Sequence, residues 1–204
     1  MGTRSRLALA GLAVLLAVLV MAVPAQAAGV QKGSTHITVG AAYVTELGAK
    51  HVTLAAFAPA TQKALWNKSG NMYWWFRVPM KSGGTYAPKS GKGTFMHRGS
   101  IRFVEASETG HKIFRAEGIR ILALSKTKYQ MSVAYKTLAG PYLRVALAES
   151  THAPKITHKG KAYKIDGLQF KLTQAGHDAI LSVIGESLDM TKVIFSTDLL
   201  PILY

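Results

Sequence analysis

Seven histidines and ten carboxylates are the groups in this 204-residue chain that could bind a metal or move a proton, and there is no cysteine. His97 has the most suggestive setting. It lies in Gly93-Thr94-Phe95-Met96-His97-Arg98-Gly99-Ser100-Ile101-Arg102-Phe103. In an extended strand Phe95, His97, Ile101 and Phe103 fall on one face, and Met96, Arg98, Ser100 and Arg102 on the other. A histidine on an apolar face is either a ligand or a core residue with satisfied hydrogen bonds, and spacing does not separate the two. His111 opens the following strand. If Glu105–Gly110 is the turn, His111 pairs near Val104 and His97 near Gly118, too far apart along the ribbon to share one small ion. His152 and His158 sit in a lysine-rich segment whose charge opposes a cation. His177 stands near the start of a helix, on its exposed side, and His36 and His51 open strands with nothing to mark them.

The carboxylates fall in no pairing motif with a base or a metal cluster. The chain has no G-x-S-x-G elbow, H-E-x-x-H pair, phosphate loop or dinucleotide fingerprint. Without cysteine there are no catalytic thiols, thiolate metal sites or disulfides. These features read as a non-enzymatic protein.

The elements that must position His97 are short strands. Lys92–Leu122 reads as a central β-hairpin, and Asn71–Met80 as a strand whose aromatics on both faces suggest burial on two sides. The aromatics Tyr73–Phe76 read as core first and as a wall for a flat ligand second. Before them come an extended His36–Val39, a helix over Ala41–Leu47 stopped by Gly48, and a strand over Val52–Phe57. Ala60–Gly70 reads as a connection or short helix, and Lys81–Lys92 as a mobile loop. Tyr129–Tyr135 and Tyr142–Leu147 form a second antiparallel pair turned over Leu138–Pro141, and Glu149–Lys161 is the next loop. The chain closes with a strand (Gly167–Leu172), a helix from Thr173 to Gly185 with Ala175, Ala179, Ile180, Val183 and Ile184 as its apolar positions, and a strand (Thr191–Ser196). Both ends share the order strand, helix, glycine, strand, which hints at an internal repeat. The expected fold is mostly β (α+β): an antiparallel β-sandwich or open barrel with two short helices.

The N-terminus carries an export signal: Arg4 and Arg6, an apolar run Leu7–Val23, then Ala25-Gln26-Ala27. We read residues 1–27 as a signal peptide and 28–204 as one domain. Its removal takes two arginines and no acid, so the formal charge falls from +15 to +13. That surplus favours polyanionic neighbours such as an anionic cell envelope. The bases are spread out, with a mild cluster at Lys155–Lys164, and no specific nucleic-acid motif emerges. The apolar C-terminus Leu199–Tyr204 is too short to cross a bilayer. The mature chain therefore reads as lacking a transmembrane span, and as secreted or held at the cell surface without a covalent anchor.

The run Gly93–Phe103 resembles the strand "G-x-v-x-H-x-G-x-l-x-φ" of HtaA-type domains. Phe114–Ile121, with the pattern φ-x-x-x-G-I-x-I, and Leu172-Thr173-Gln174-Ala175-Gly176 are similar to further parts of that family. Its members include secreted or surface-bound haem-binding modules of actinobacteria and single-domain secreted relatives of uncharacterised function. The resemblance implies haem as cofactor, with Tyr43 as the iron ligand on the first short helix and His97 as the group that supports the tyrosine. A phenolate suits ferric iron, and a histidine bonded to its oxygen favours the deprotonated form. Phe95, Ile101 and Val44 would then cover the porphyrin. The family's tryptophan and Ser-Phe-Arg stretch before the tyrosine are replaced here by His36-Ile37-Thr38-Val39-Gly40. Two functions follow as expectations. One is a ligand-binding protein for haem or another apolar small molecule. The other is a basic envelope protein that binds anionic wall polymers without haem.

Overall fold

The computed structural model describes residues 27–107, 110–137 and 140–204. The signal peptide expected over residues 1–27 lies outside them but for its last residue. Among the described residues, mostly alternating apolar and polar positions give thirteen strands, and helical spacing gives two helices. In chain order these are β1 (Ala28–Val39), α1 (Ala41–Ala49), β2 (Val52–Phe57), β3 (Thr61–Trp66), β4 (Met72–Pro79), β5 (Gly84–Ala87), β6 (Lys92–Met96) and β7 (Ser100–Ser107). There follow β8 (Gly110–Ala123), β9 (Tyr129–Lys136), β10 (Tyr142–Ser150), β11 (Lys155–Lys159), β12 (Ala162–Leu172), α2 (Gln174–Ile184) and β13 (Phe195–Leu203). Every pairing is antiparallel, and the architecture is the expected barrel-like sheet with two short helices.

The hydrogen-bonded path returns to its start: β1, β5, β6, β8, β9, β10, β12, β13 and back to β1. Three long strands of this ring each fork. Along one edge, β1 pairs β5 over residues 28–30 and β4 over 34–39. Likewise β8 pairs β7 over 110–116 and β6 over 120–123, and β12 pairs β11 over 162–166 and β10 over 170–172. Each change of partner falls at a glycine with positive φ: Gly33 (153°), Gly118 (50°) and Gly167 (77°). A left-handed residue turns the strand edge away from one neighbour and toward the next, which only glycine does freely.

One apolar cluster fills the interior. Its aromatics meet edge to face or tilted: Tyr86 with Phe95 (5.3 Å), Phe103 with Phe114 (5.8 Å) and Phe114 with Tyr135 (5.1 Å). Helix α2 packs on β7, β8, β10 and β12. Thr173 is its N-cap, accepting from Gly176 N at 2.9 Å, and Gly185 ends it in the left-handed region at φ 80°.

Several expectations are corrected. The first arm of the central hairpin is two strands, broken at residues 97–99 where β6 ends and β7 moves to a different neighbour. Gly48 lies inside α1, which stops at Lys50. Ala60–Gly70 holds a strand, β3. The segment Lys81–Lys92 carries β5 with Tyr86 fully buried, and Glu149–Lys161 carries β11. On β4 only Phe76 and Val78 are buried, so its burial is mainly one-sided. Ala175 faces outward on α2. The last strand starts later than expected and takes in the apolar C-terminus. The two ends keep their shared order of elements but not their pairing: β12 lies beside β13, whereas β2 pairs β7 and not β1.

Candidate functional site

Tyr43 and His97, the two residues implied by the resemblance, are both buried: 2% and 3% exposed. Tyr43 sits in the first turn of α1. Gly40, extended at φ −66° and ψ 153°, lets β1 run straight into the helix, and its carbonyl accepts from Tyr43 N and Val44 N at 3.0 Å. Tyr43 and Leu47, four residues apart, form the inward face. The phenol hydroxyl of Tyr43 is enclosed and has no hydrogen-bond partner. Burial pushes this phenol well above the ordinary tyrosine range, and the carboxylates of Glu46 and Asp189 push the same way. Those two acids are fixed in place. Glu46 Oε1 accepts from Asp189 N at 2.9 Å, and Lys192 Nζ reaches Glu46 at 2.8 Å and Asp189 at 3.2 Å.

His97 occupies the break between β6 and β7. Its main-chain N–H donates to Ile119 O at 3.0 Å, Arg98 N donates to Pro79 O at 2.9 Å, and Gly99 turns the chain at φ 88°. The ring is held at both nitrogens. Nδ1 lies 3.1 Å from Ile119 O and Nε2 2.5 Å from Thr35 Oγ1. A carbonyl only accepts, so Nδ1 carries the proton and Nε2 accepts from the Thr35 hydroxyl. Complete burial lowers the imidazole to about 4, against a partial offset from main-chain carbonyls. His97 is therefore a neutral brace across β1, the β6–β7 break and β8.

The structure does not bring the pair together by a hydrogen bond. His97 bonds Thr35 and Ile119, and Tyr43 bonds nothing. For a ferric haem the donor type at Tyr43 fits, a phenol oxygen without a partner that is packed within the core, whereas His97 is already committed. Phe95 and Ile101 are packed in the core, while Val44 is partly buried against it. The cavity that His97 helps to line, with Lys81, Met96, Gly118, Ile119, Arg120 and Arg144, holds about 100 Å³. Sites for organic ligands run from roughly 300 Å³ upward.

The other histidines stay apart. His177, expected to be exposed, has a side chain only 13% exposed and bonds Asp178 and Ser187 at 3.0 Å each. His158 stacks on Tyr163 at 5.2 Å, and His111 pairs with Ala106, two residues from the expected Val104. Among the described residues no three His, Asp or Glu side chains converge as a metal site. Sequence reasoning missed Thr35 as the partner of His97, the buried hydroxyls of Tyr86 and Tyr129 set against each other in the core, and the basic lining of the 100 Å³ cavity. The β-branched Thr35 carries no local signal, because its partner lies 62 residues away.

No protein-family model matches the chain, and no curated protein matches it. Solved structures do. The C-terminal domain of HtaA from Corynebacterium glutamicum superposes with a TM-score of 0.56 at 12% identity, over 87% of this chain and 99% of that one. The N-terminal domain of the same protein gives a TM-score of 0.50 at 16% identity, over 85% and 99%. The likeness is one of fold: this chain is built as an HtaA domain is built.

Proposed function

We propose, starting from that shared fold, that the chain is an exported, non-catalytic ligand-binding protein at the cell surface or beyond it, and that it takes ferric haem through Tyr43. The observation that supports this is the enclosed hydroxyl of Tyr43, placed by α1 directly after β1 and left without a partner. A buried hydroxyl in that state is worth roughly 1–3 kcal/mol to any group that satisfies it. Bound haem would supply a ferric centre that holds the phenolate form against burial and against Glu46 and Asp189. His97 serves in this reading as the outer partner of the phenolate: on loading its proton moves from Nδ1 to Nε2, so that Nε2–H donates to the Tyr43 oxygen instead of accepting from Thr35, while Ile119 O keeps the main-chain N–H of His97. The test is a titration with ferric haem followed in the Soret region. Wild type gives a saturable band, Tyr43→Phe loses it, and His97→Ala binds more weakly with a shifted band. A band unchanged in Tyr43→Phe would refute the assignment.

A second reading has its own support. The hairpin of β11 and β12 exposes Lys155, Lys159, Lys161 and Lys164 at an edge of the sheet, where Lys164 pairs with Asp166 at 2.7 Å and Lys155 lies in the field of the same carboxylate. In this reading the protein adheres to anionic wall polymers through that edge. Adhesion then falls steeply as salt shortens the Debye length, and retention at about 1 M salt would count against it.

A further inference from the structure

The cavity beside His97 is walled by three cations that come from three different segments. Met96 pairs with Arg120 across β6 and β8, and Lys81 N donates to Met96 O at 2.9 Å, which brings Lys81 alongside. Arg120 lies directly opposite Ser132 on β9, so their side chains share one face of the sheet. Arg144, from β10, reaches back over the same face. Its Nη1 donates to Ser132 Oγ at 3.3 Å and to Gly118 O at 3.2 Å, and its Nη2 donates to Gly118 O at 3.2 Å. These bonds leave two of the five guanidinium N–H donors free.

Among the described residues nothing neutralises this group. No carboxylate lines the cavity, and among the described residues Lys81, Arg120 and Arg144 enter no ion pair. Arg144 is exposed as a residue, but partial desolvation of its guanidinium, and then the charge of Arg120, hold it below its ordinary value. The strand fork builds the arrangement. At Gly118 β8 bulges away from β9, and an added Cβ there would approach Arg144 Nη2 to 3.1 Å.

We infer that Lys81, Arg120 and Arg144 form a binding site for a phosphate-type oxyanion. The volume of about 100 Å³ decides the size class. It equals the liquid volume of roughly three waters, enough for one tetrahedral oxyanion and too little for a larger organic group. Arginine is suited to the task because its planar fork holds two oxyanion oxygens at once. The oxyanion comes either as the free ion or as the terminal group of a larger molecule, whose remainder lies outside the cavity. The inference rests on the cavity and its charges, not on what Tyr43 binds.

Calorimetric titration of the purified protein at low ionic strength, with inorganic phosphate and separately with glycerol 3-phosphate, tests it. Wild type binds inorganic phosphate at one site. Arg120→Gln, which breaks no hydrogen bond of the fold, weakens binding at least tenfold, and Arg144→Lys weakens it less than Arg144→Gln does. Lys63→Gln, on the exposed edge strand β3, leaves it unchanged. Uptake of both ligands assigns the site to a phosphate group carried on a larger molecule, and uptake of inorganic phosphate alone assigns it to the free ion. No heat at millimolar phosphate, or equal affinity in folded Arg120→Gln (checked by circular dichroism), overturns the inference.

Discussion

His97 is a base made weaker by folding, and this has a measurable sign. In the unfolded chain the imidazole titrates at 6.5, and in the folded protein at about 4. Between those values the unfolded chain takes up a proton that the folded one refuses, so stability falls as pH drops from 6.5 to 4 and is flat above 6.5. The full effect is about 3 kcal/mol. Urea unfolding at pH 7 and pH 4.5 should show this acid limb in wild type and a shallower one in His97→Gln; parallel limbs would mean that His97 is already solvated. Thr35→Val strands Nε2 in the core and should lower stability by about 1–3 kcal/mol at pH 7, more than a surface threonine would. Tyr43→Phe has the opposite sign. It removes a hydroxyl that bonds nothing, so the ligand-free protein should melt at the same temperature or higher. A clear loss of stability in Tyr43→Phe would reveal a partner for that hydroxyl and remove the main support for ligation there.

The elements show where the sequence was readable and where it was not. β2 ends where its apolar pattern ends, and α2 begins and stops at Thr173 and Gly185, because caps and periodicity are local signals. The segment Lys81–Lys92 misled because its glycines suggest a turn. One of them is there for contact between strands: a Cβ on Gly84 would meet Thr94 O at 2.4 Å, as one on Gly93, just past the segment, would meet Thr85 O at 2.2 Å. β3 and β11 were illegible as strands because edge strands bury little and carry lysines against self-pairing. The break at His97 keeps the period of two on either side, so only the change of neighbour exposes it. Of the candidate site, the burial of His97 could be read from its strand face, but its bond to Thr35 depends on tertiary pairing. The fork glycines give a graded prediction. Gly167→Ala meets no atom within 4 Å and costs only the left-handed conformation, about 1 kcal/mol. Gly33→Ala drives a Cβ to 2.3 Å from Leu200 O, so β1 and β13 must separate. Thermal melts should rank Gly33→Ala far below Gly167→Ala, and equal losses would mean that the fork at β1 is not held by close approach.

At the scale of the whole molecule, the C-terminal residues complete the ring of strands. β13 is the strand that joins β1 to β12: Val30 pairs Leu203, Thr35 pairs Leu199, and on the other side Ala162 pairs Ile202 and Ile165 pairs Leu199. Deleting residues 199–204 removes the buried side chains of Leu199 and Leu203. At about 1.5–3 kcal/mol each, that is a large part of the 5–15 kcal/mol that holds a domain together. It also leaves two facing edges unpaired, on β1 over residues 30–35 and on β12 over 162–165, and open edges recruit other chains. The net charge, +15 for the whole chain and +13 without residues 1–27, opposes such association at low salt, when the chains repel one another, and ceases to do so as salt screens it. The shortened protein should therefore melt at a lower temperature and run as a monomer in dilute buffer, then associate as salt rises. Full-length protein should stay monomeric throughout. Light scattering coupled to gel filtration at two salt concentrations separates these outcomes. A truncated chain that melts unchanged and stays monomeric in both would show that the ring does not depend on β13 for its closure.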